Sequence, residues 1–340
     1  KKMNKIRIGI NGFGRIGRQV LKTINSNFKD SLEVVAINDL GDIKTSAHLL
    51  KYDSTHGRFQ EKVEIKDHGI SISGNPIKFF REKSPENIEW DNEGVEIVIE
   101  STGIFTDGKL ASCHLGGSVK KVVISAPAKN EDITIVLGVN HDDYDPKKHN
   151  IISNASCTTN CVAPMVKVLN DNFDLESAFM STIHAFTNDQ NILDQTHSDL
   201  RRARAASANI IPTTTGAAKA VTKVIPELEG KIDGMAYRVP VITSSVTDLT
   251  VKLKSDETIE KINELYKKSA SKELKGILDC ADEELVSSDF IGNSYSCTID
   301  LASTSKIPRT GLYKIVGWYD NEWGYASRTT DLVSLIAKNL

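Results

Sequence analysis

Near the start of the chain, apolar positions fall into two short runs with a helical pattern between them. Ile6-Arg7-Ile8-Gly9-Ile10 predicts a strand, Val20, Leu21 and Ile24 recur at helical spacing, and Glu33-Val34-Val35-Ala36-Ile37 predicts a second strand. Further strands are expected at 96–100, 121–124 and 133–137, each followed by small polar residues such as Ser101-Thr102-Gly103 and Ser125-Ala126-Pro127. Strands alternating with helical or loop segments predict a parallel sheet. Residues 55–95 carry shorter β-like runs, among them Lys62-Val63-Glu64-Ile65 and Ile77-Lys78-Phe79-Phe80, which read as an insertion of antiparallel strands.

The pattern then changes. Val162 to Leu169 has the apolar spacing of a helix, and beyond it strand follows strand, at 178–184, 235–239, 249–253, 296–299 and 314–319. Helices are expected at about 216–224, 258–270 and 323–338. That order predicts an antiparallel sheet with helices on one face, an α+β arrangement. Residues 188–209 are polar and Arg-rich, with little periodicity. Structureless loops of that length are usually functional or disordered.

A length of 340 residues suits two domains. The net charge of −3 and a pI near 6.3 argue against general affinity for nucleic acid or membrane surfaces. No apolar run approaches the length of a membrane span. The basic start, Lys1-Lys2-Met3-Asn4-Lys5, precedes an apolar run that stops at Gly9 and Asn11, too short for a secretory signal, and Met3 suits a native start. Five cysteines, at 113, 157, 161, 280 and 297, are odd in number and unevenly spaced. They suggest no disulfide framework and no metal site, and a reducing cytoplasm is the expected location.

Candidate chemistry sits at two places. Gly12-Phe13-Gly14-Arg15-Ile16-Gly17 falls between the first strand and the first helix, the context a dinucleotide fingerprint requires. Gly12 allows the turn, Gly14 lets a pyrophosphate approach the backbone, and Gly17 lets helix pack on strand. Asp39 follows the second strand, where an acid binds the ribose hydroxyls of NAD and repels a 2′-phosphate. The other place is Ser153-Asn154-Ala155-Ser156-Cys157-Thr158-Thr159-Asn160-Cys161. With Ser156 as N-cap, Cys157 enters the first turn of a helix, where the dipole favours a thiolate below the usual pKa of about 8.5. The competing reading makes Cys157 and Cys161 two small buried apolar side chains. His184 ends a strand and is either structural or, if the fold brings it to Cys157, a general base. Arg201-Arg202-Ala203-Arg204 fits a solvated basic face. Arg238, inside an apolar strand, needs an anion or a carboxylate. Thr213-Thr214-Thr215-Gly216 opens a helix, another ready anion site.

Taken together, the stretches NGFGRIGR at 11–18, ASCTTNC at 155–161, TIHAFTNDQ at 182–190, RRARAA at 201–206, NIIPTTTGAAKAV at 209–221 and WYDNEWGY at 318–325 closely resemble the glyceraldehyde-3-phosphate dehydrogenase family. The resemblance spans the chain in the family's order. It implies an α/β fold: a Rossmann-type doubly wound parallel sheet over 3–156, then an α+β catalytic domain over 157–322, with the helix 323–338 packing back on the first. It implies NAD-dependent, phosphorylating oxidation of glyceraldehyde 3-phosphate through a cysteine thioester. Cys157 would be the nucleophile and His184 its base. Arg15 and Ile16 would hold the pyrophosphate through backbone N–H groups, Asp39 the adenosine ribose, Lys83 the adenine side, and Ser125 and Asn321 the nicotinamide part. Thr187, Arg202 and Arg238 would hold the substrate's C3 phosphate, and Ser156, Thr158, Thr215 and Gly216 the attacking inorganic phosphate. Segment 188–209 looks like the family's S-shaped loop near a neighbouring subunit's cofactor, which implies a homotetramer. One departure concerns the cofactor. NAD-using members usually carry Leu-Pro where this chain has Gln195-Thr196, so NAD is expected with NADP possible. Rival readings are an erythrose-4-phosphate dehydrogenase, which needs no phosphate, an NADP-preferring anabolic form, and a non-catalytic NAD-binding surface or adhesion protein.

Overall fold

The strand Ile6–Asn11 lies inside a nine-stranded sheet of the computed structural model, which describes residues 5–66 and 68–340. The expected start at Met3 lies outside the described residues. On one side come Leu32–Asn38 and Asn75–Phe80, and on the other Ile97–Glu100, Lys121–Ile124, Ile151–Ser153 and Ile133–Thr134, all parallel. The chain steps one way from Ile6–Asn11 and later jumps back to Ile97–Glu100. That reversal opens a crevice at the carboxyl ends of the two strands. Their apolar run is unbroken, and Ile8, Ile10, Ile97, Val98 and Ile99 are fully buried, as in a sheet covered on both faces. The helix Arg15–Asn27 buries Val20, Leu21 and Ile24. Its Thr23 hydroxyl shares a 2.7 Å hydrogen bond with Thr330 of the last helix, Trp323–Ala337. This unit comprises the described residues up to Ile135, with Asp142–Ala155 and Ala326–Leu340.

Two expectations change here. The antiparallel strands expected within 55–95 form, but Asn75–Phe80 pairs antiparallel only with Gly69–Ile72 and runs parallel to Leu32–Asn38 on its other side, which joins them to the main sheet. Val63–Lys66 and Gly69–Ile72 extend the same sheet antiparallel beyond it, since Ser73 and Gly74, at φ of 48° and 93°, close a tight hairpin. The strand expected over 133–137 ends at Thr134. Beyond it Asn140 Oδ1 accepts the Val136 N–H at 2.9 Å and bends the chain into a turn.

The second unit, Val136–His141 and Ser156–Tyr325, carries an eight-stranded sheet. Its order is Ile211–Thr213, Ile232–Val239, Leu175–Ala185, Ser245–Leu253, Leu312–Tyr319, Cys297–Asp300 and Leu278–Ala281, with Ser305–Ile307 pairing Leu312–Tyr319. The sheet is mixed rather than wholly antiparallel. Leu175–Ala185 pairs Ile232–Val239 in parallel, because the long connection between them carries the helix Ala217–Val224 and returns the chain to the same end. Burial alternates strictly along Ser245–Leu253, so one face is covered and the other is not. The helix Cys157–Phe173 packs on that sheet against the strands around Leu175–Ala185 and Leu312–Tyr319. No described helix is long and apolar enough to cross a membrane.

Candidate functional site

Cys157 is the first residue of its helix, as expected. Ser156 caps the end, its Oγ accepting the Thr159 N–H at 3.0 Å. Ala155, just before, takes φ of 55°, a left-handed conformation that a Cβ disfavours. The sheet register brings the partners. His184 pairs Arg238 on one side, and Ser245 pairs Tyr319 in the next ladder. One step past the last antiparallel pair, Ile183 and Val246, His184 stands opposite Ser245. Arg238, His184, Ser245 and Tyr319 therefore form one transverse row on one face of the sheet.

The His184 Nε2 lies 3.4 Å from the Cys157 Sγ. Its Nδ1 lies 2.7 Å from the Ala185 carbonyl, which can only accept, so Nδ1 carries the proton and Nε2 offers its lone pair to the thiol. Burial, and then the positive charge of Arg238, push His184 down to about 3, so at neutral pH it is an uncharged base. The thiol departs from expectation. Burial raises the Cys157 pKa, and the pull of Arg238 and the hydrogen bonds of Thr158 do not reverse that. Desolvation of a thiolate outweighs the helix end, and the resting pair is a thiol beside a neutral imidazole. Tyr319 lies edge-on to the imidazole, with ring centroids 6.1 Å apart. Its hydroxyl bonds the Oγ1 atoms of Thr158 at 2.8 Å and Thr182 at 2.7 Å, tying the Cys157 helix to the His184 strand.

Two cationic groups flank the pair. Arg238 Nη1 donates to Thr187 Oγ1 at 3.0 Å and, more weakly, to the Ala185 carbonyl at 3.4 Å. Its Nε is buried with no hydrogen-bond partner among the described residues, which marks a place for an acceptor that they do not supply. Arg202 is near enough for its charge to act on Arg238 and His184, but its hydrogen bonds go to other partners. Its Nε donates to Thr213 Oγ1 at 3.0 Å, its Nη2 to the Thr214 carbonyl at 3.1 Å, and its Nη1 pairs with Asp189. Those bonds tie it to the segment leading into Thr215 and Gly216, where Gly216 precedes the helix Ala217–Val224 without a side-chain cap. The other arginines of that run face solvent, Arg204 pairing with Asp194.

In the first unit the glycine turn has the anatomy expected of it. A Cβ on Gly12, at φ of 91°, would meet Thr102 N at 2.6 Å, and one on Gly17 would meet the Gly12 carbonyl oxygen at 2.1 Å. A Cβ on Gly14 would meet nothing within 4 Å among the described residues, so open space lies where a pyrophosphate would approach. Arg15 and Ile16 form the first turn of the helix behind it, whose N–H groups have no preceding helical carbonyl. The Arg15 side chain points elsewhere, to Asp53 at 2.9 Å. Asp39 is oriented by two backbone donors, Phe13 N–H at 2.7 Å and Gly41 N–H at 2.8 Å, which leaves acceptor capacity for hydroxyls. These features fit NAD. Lys83 is exposed just past the strand Asn75–Phe80, and Ser125 donates its hydroxyl to the Glu100 carbonyl at 3.2 Å. Asn321 belongs to the second unit, where its Oδ1 accepts the Ser245 hydroxyl at 2.9 Å. Gln195 and Thr196 are exposed in the loop that carries Arg202.

Sequence reasoning missed four residues. Tyr319, Ser245 and Asp189 act through neighbours that only the register and the loop fold supply. Glu100 ends its strand buried, with Oε2 accepting from Asn11 Nδ2 at 2.6 Å and His114 Nε2 at 2.8 Å, and Oε1 from the Thr102 N–H at 2.9 Å. The Trp90 indole donates to His114 Nδ1 at 3.1 Å, so the His114 proton must sit on Nε2. Asn11 Oδ1 in turn accepts from Asn38 Nδ2 at 2.8 Å, and Asn38 Oδ1 accepts the Glu82 N–H at 2.8 Å. A charged residue closing an apolar strand was the available signal.

Residues 6–108 match the family model "Glyceraldehyde 3-phosphate dehydrogenase, NAD binding domain", and residues 156–321 match "Glyceraldehyde 3-phosphate dehydrogenase, C-terminal domain". The chain is 55% identical to glyceraldehyde-3-phosphate dehydrogenase 2 of Streptomyces avermitilis, over 98% of this chain and 99% of that one. It is 54% identical to the enzyme of that name in Geobacillus stearothermophilus, and 51% identical to glyceraldehyde-3-phosphate dehydrogenase 1 of Bacillus subtilis, with 98% of each chain covered in both.

Proposed function

Because the chain belongs to the glyceraldehyde-3-phosphate dehydrogenase family, we infer that Cys157 and His184 carry out its reaction, the phosphorylating oxidation of glyceraldehyde 3-phosphate to 1,3-bisphosphoglycerate with NAD. The observation that carries this assignment is the 3.4 Å approach of the thiol to an imidazole whose other nitrogen is already tied down. As the Cys157 Sγ attacks the aldehyde carbon, its proton passes to the His184 Nε2. The sulfur need not be ionised beforehand, which suits a buried thiol. The Cys157 N–H, in the first turn of its helix, steadies the oxygen of the thiohemiacetal while His184 hands the thiol proton on to it, and the imidazole, neutral again, then takes that hydroxyl proton as the hydride leaves. NAD, when bound, would supply the acceptor for the hydride that the same carbon gives up. The carbon is then a thioester on Cys157. Inorganic phosphate attacks it, the C–S bond breaks, and the sulfur regains a proton from His184 as the acyl phosphate leaves.

Two phosphates must be held, and the different hydrogen-bond partners of Arg238 and Arg202 support two groups of donors. Arg238 and Thr187 hold the C3 phosphate. Arg202, together with Ser156, Thr158, Thr215 and Gly216, serves the attacking phosphate. Ile192, Leu193, Leu200 and Ile210 are 69–82% exposed in the segment that carries Arg202, and a homotetramer in which a second copy covers them accounts for that apolar surface. The cytoplasm suits five free cysteines.

Cys157→Ser tests the assignment. Turnover is lost while NAD binding, measured by fluorescence quenching, stays within about twofold. Omitting phosphate or arsenate from wild-type assays stops glyceraldehyde 3-phosphate turnover. Unimpaired turnover in either case overturns the assignment, and in the second it favours the phosphate-independent rival.

A further inference from the structure

The backbone ladder between Leu175–Ala185 and Ser245–Leu253 stops at Ile183 and Val246. Beyond that point the Ala185 N–H, fully buried, donates to a side chain, Ser245 Oγ, at 3.0 Å. A hydroxyl has one proton to give, and this one goes to Asn321 Oδ1 at 2.9 Å. Ser245 is 1% exposed and Asn321 5%, so water does not compete for these bonds. Two results follow from one oxygen. The Asn321 carbonyl oxygen is engaged, which leaves its NH2, with no hydrogen-bond partner among the described residues, as the group free to meet a ligand. Residue 185 is pinned, and its carbonyl is what fixes the proton on His184 Nδ1 and aims Nε2 at Cys157.

We propose that Ser245 is a positioning residue that sets both the donor face of Asn321 toward the nicotinamide carboxamide oxygen and the pose of His184 toward the thiol. This rests on the assignment of Asn321 to the nicotinamide part of NAD. Without the Ser245 hydroxyl the Asn321 amide is free to turn its own oxygen outward, and the Ala185 N–H is left buried and unpaired.

The test compares NAD with ADP-ribose, which lacks the nicotinamide, by calorimetry on the full-length protein. In Ser245→Ala the NAD dissociation constant rises about tenfold and that of ADP-ribose stays within about twofold. Alkylation of Cys157 by iodoacetamide without cofactor, followed against pH, shifts its midpoint from that of the wild type, because the imidazole is no longer held. Ser245→Thr keeps the hydroxyl and restores both readouts. Ser245→Cys fills the same volume with a weak hydrogen-bonding group and gives the alanine result, which covers the case of poor folding in the alanine variant. Equal weakening of both ligands, or no weakening of either, overturns the proposal. Asn321→Ala separates its failure from failure of the underlying assignment. If that variant discriminates NAD from ADP-ribose and the Ser245 variants do not, Ser245 has no such role. If neither discriminates, Asn321 does not face the nicotinamide and the proposal falls with that assignment.

Discussion

Replacing His184 with Asn removes a group whose protonation burial and Arg238 resist. The free imidazole titrates at 6.5 and the folded one at about 3. A lower folded value means that on acidification the unfolded chain takes up the proton first. Stability is therefore kept above about pH 6.5 and lost as pH falls from there toward 3. Each pH unit in that window costs about 1.4 kcal/mol, so at pH 5 the wild type has given up about 2 kcal/mol on account of this one residue. His184→Asn has nothing at this position to titrate and is spared that loss. For 340 residues an unfolding entropy of about 2.1 cal/mol/K per residue converts 2 kcal/mol into about 3 °C. The assay is thermal unfolding of both proteins at about pH 7.5 and pH 5, at equal concentration and in phosphate-free buffer, because phosphate beside Arg238 would offset the charge that depresses His184. Whatever the variant's melting point at pH 7.5, the gap between the two proteins moves by about 3 °C in the variant's favour at pH 5. Melting curves that shift in parallel, within about 1 °C, would refute the picture of a neutral imidazole buried beside a guanidinium.

Two further outcomes test the other parts of the site. Gly14→Ala melts with the wild type yet binds NAD at least about tenfold more weakly, whereas Gly12→Ala lowers the melting temperature, since its Cβ meets Thr102 and its φ is 91°. Calorimetric binding beside the melting curves checks both. Steady-state kinetics separate the two cations: Arg202→Ala raises KM for phosphate by about tenfold or more with a smaller change for glyceraldehyde 3-phosphate, and Arg238→Ala does the reverse. Equal effects on both substrates would dissolve the division between the donor groups.

Much of this was legible in the chain because it is local. The glycine turn, Asp39 after the second strand and Ser156 capping the Cys157 helix all depend on residues within a few positions of one another. The approach of His184 to Cys157 entered only through family resemblance, since no spacing rule brings a strand end to a helix start. Ser245 and Tyr319 were invisible because their roles come from register: a slip of one residue would turn each to the other face. The lowered thiol pKa expected from the helix end failed because the helix dipole can be read from sequence and the depth of burial cannot. The family resemblance grouped Arg202 with Arg238, whereas its hydrogen bonds to Asp189 and Thr213, which only the loop fold supplies, favour the other set of donors. Within 55–95 the antiparallel pairing was legible, but the parallel partner of Asn75–Phe80 was not, because a short amphipathic run does not say which neighbours it will pair with.

The Glu100 carboxylate has a consequence for how this protein can drift. Its oxygens serve Asn11, His114 and Thr102, and Asn11 passes the connection on to Asn38 and Glu82, so the tips of four adjacent strands share one unbroken chain of donors and acceptors. Substituting any one member strands a polar atom beneath the nucleotide crevice, and the remedy lies on a different strand. Lineages that change this floor are therefore expected to exchange residues 11, 38, 100 and 114 as a set, and a chimera joining halves from two such lineages inherits a mismatch that neither parent shows.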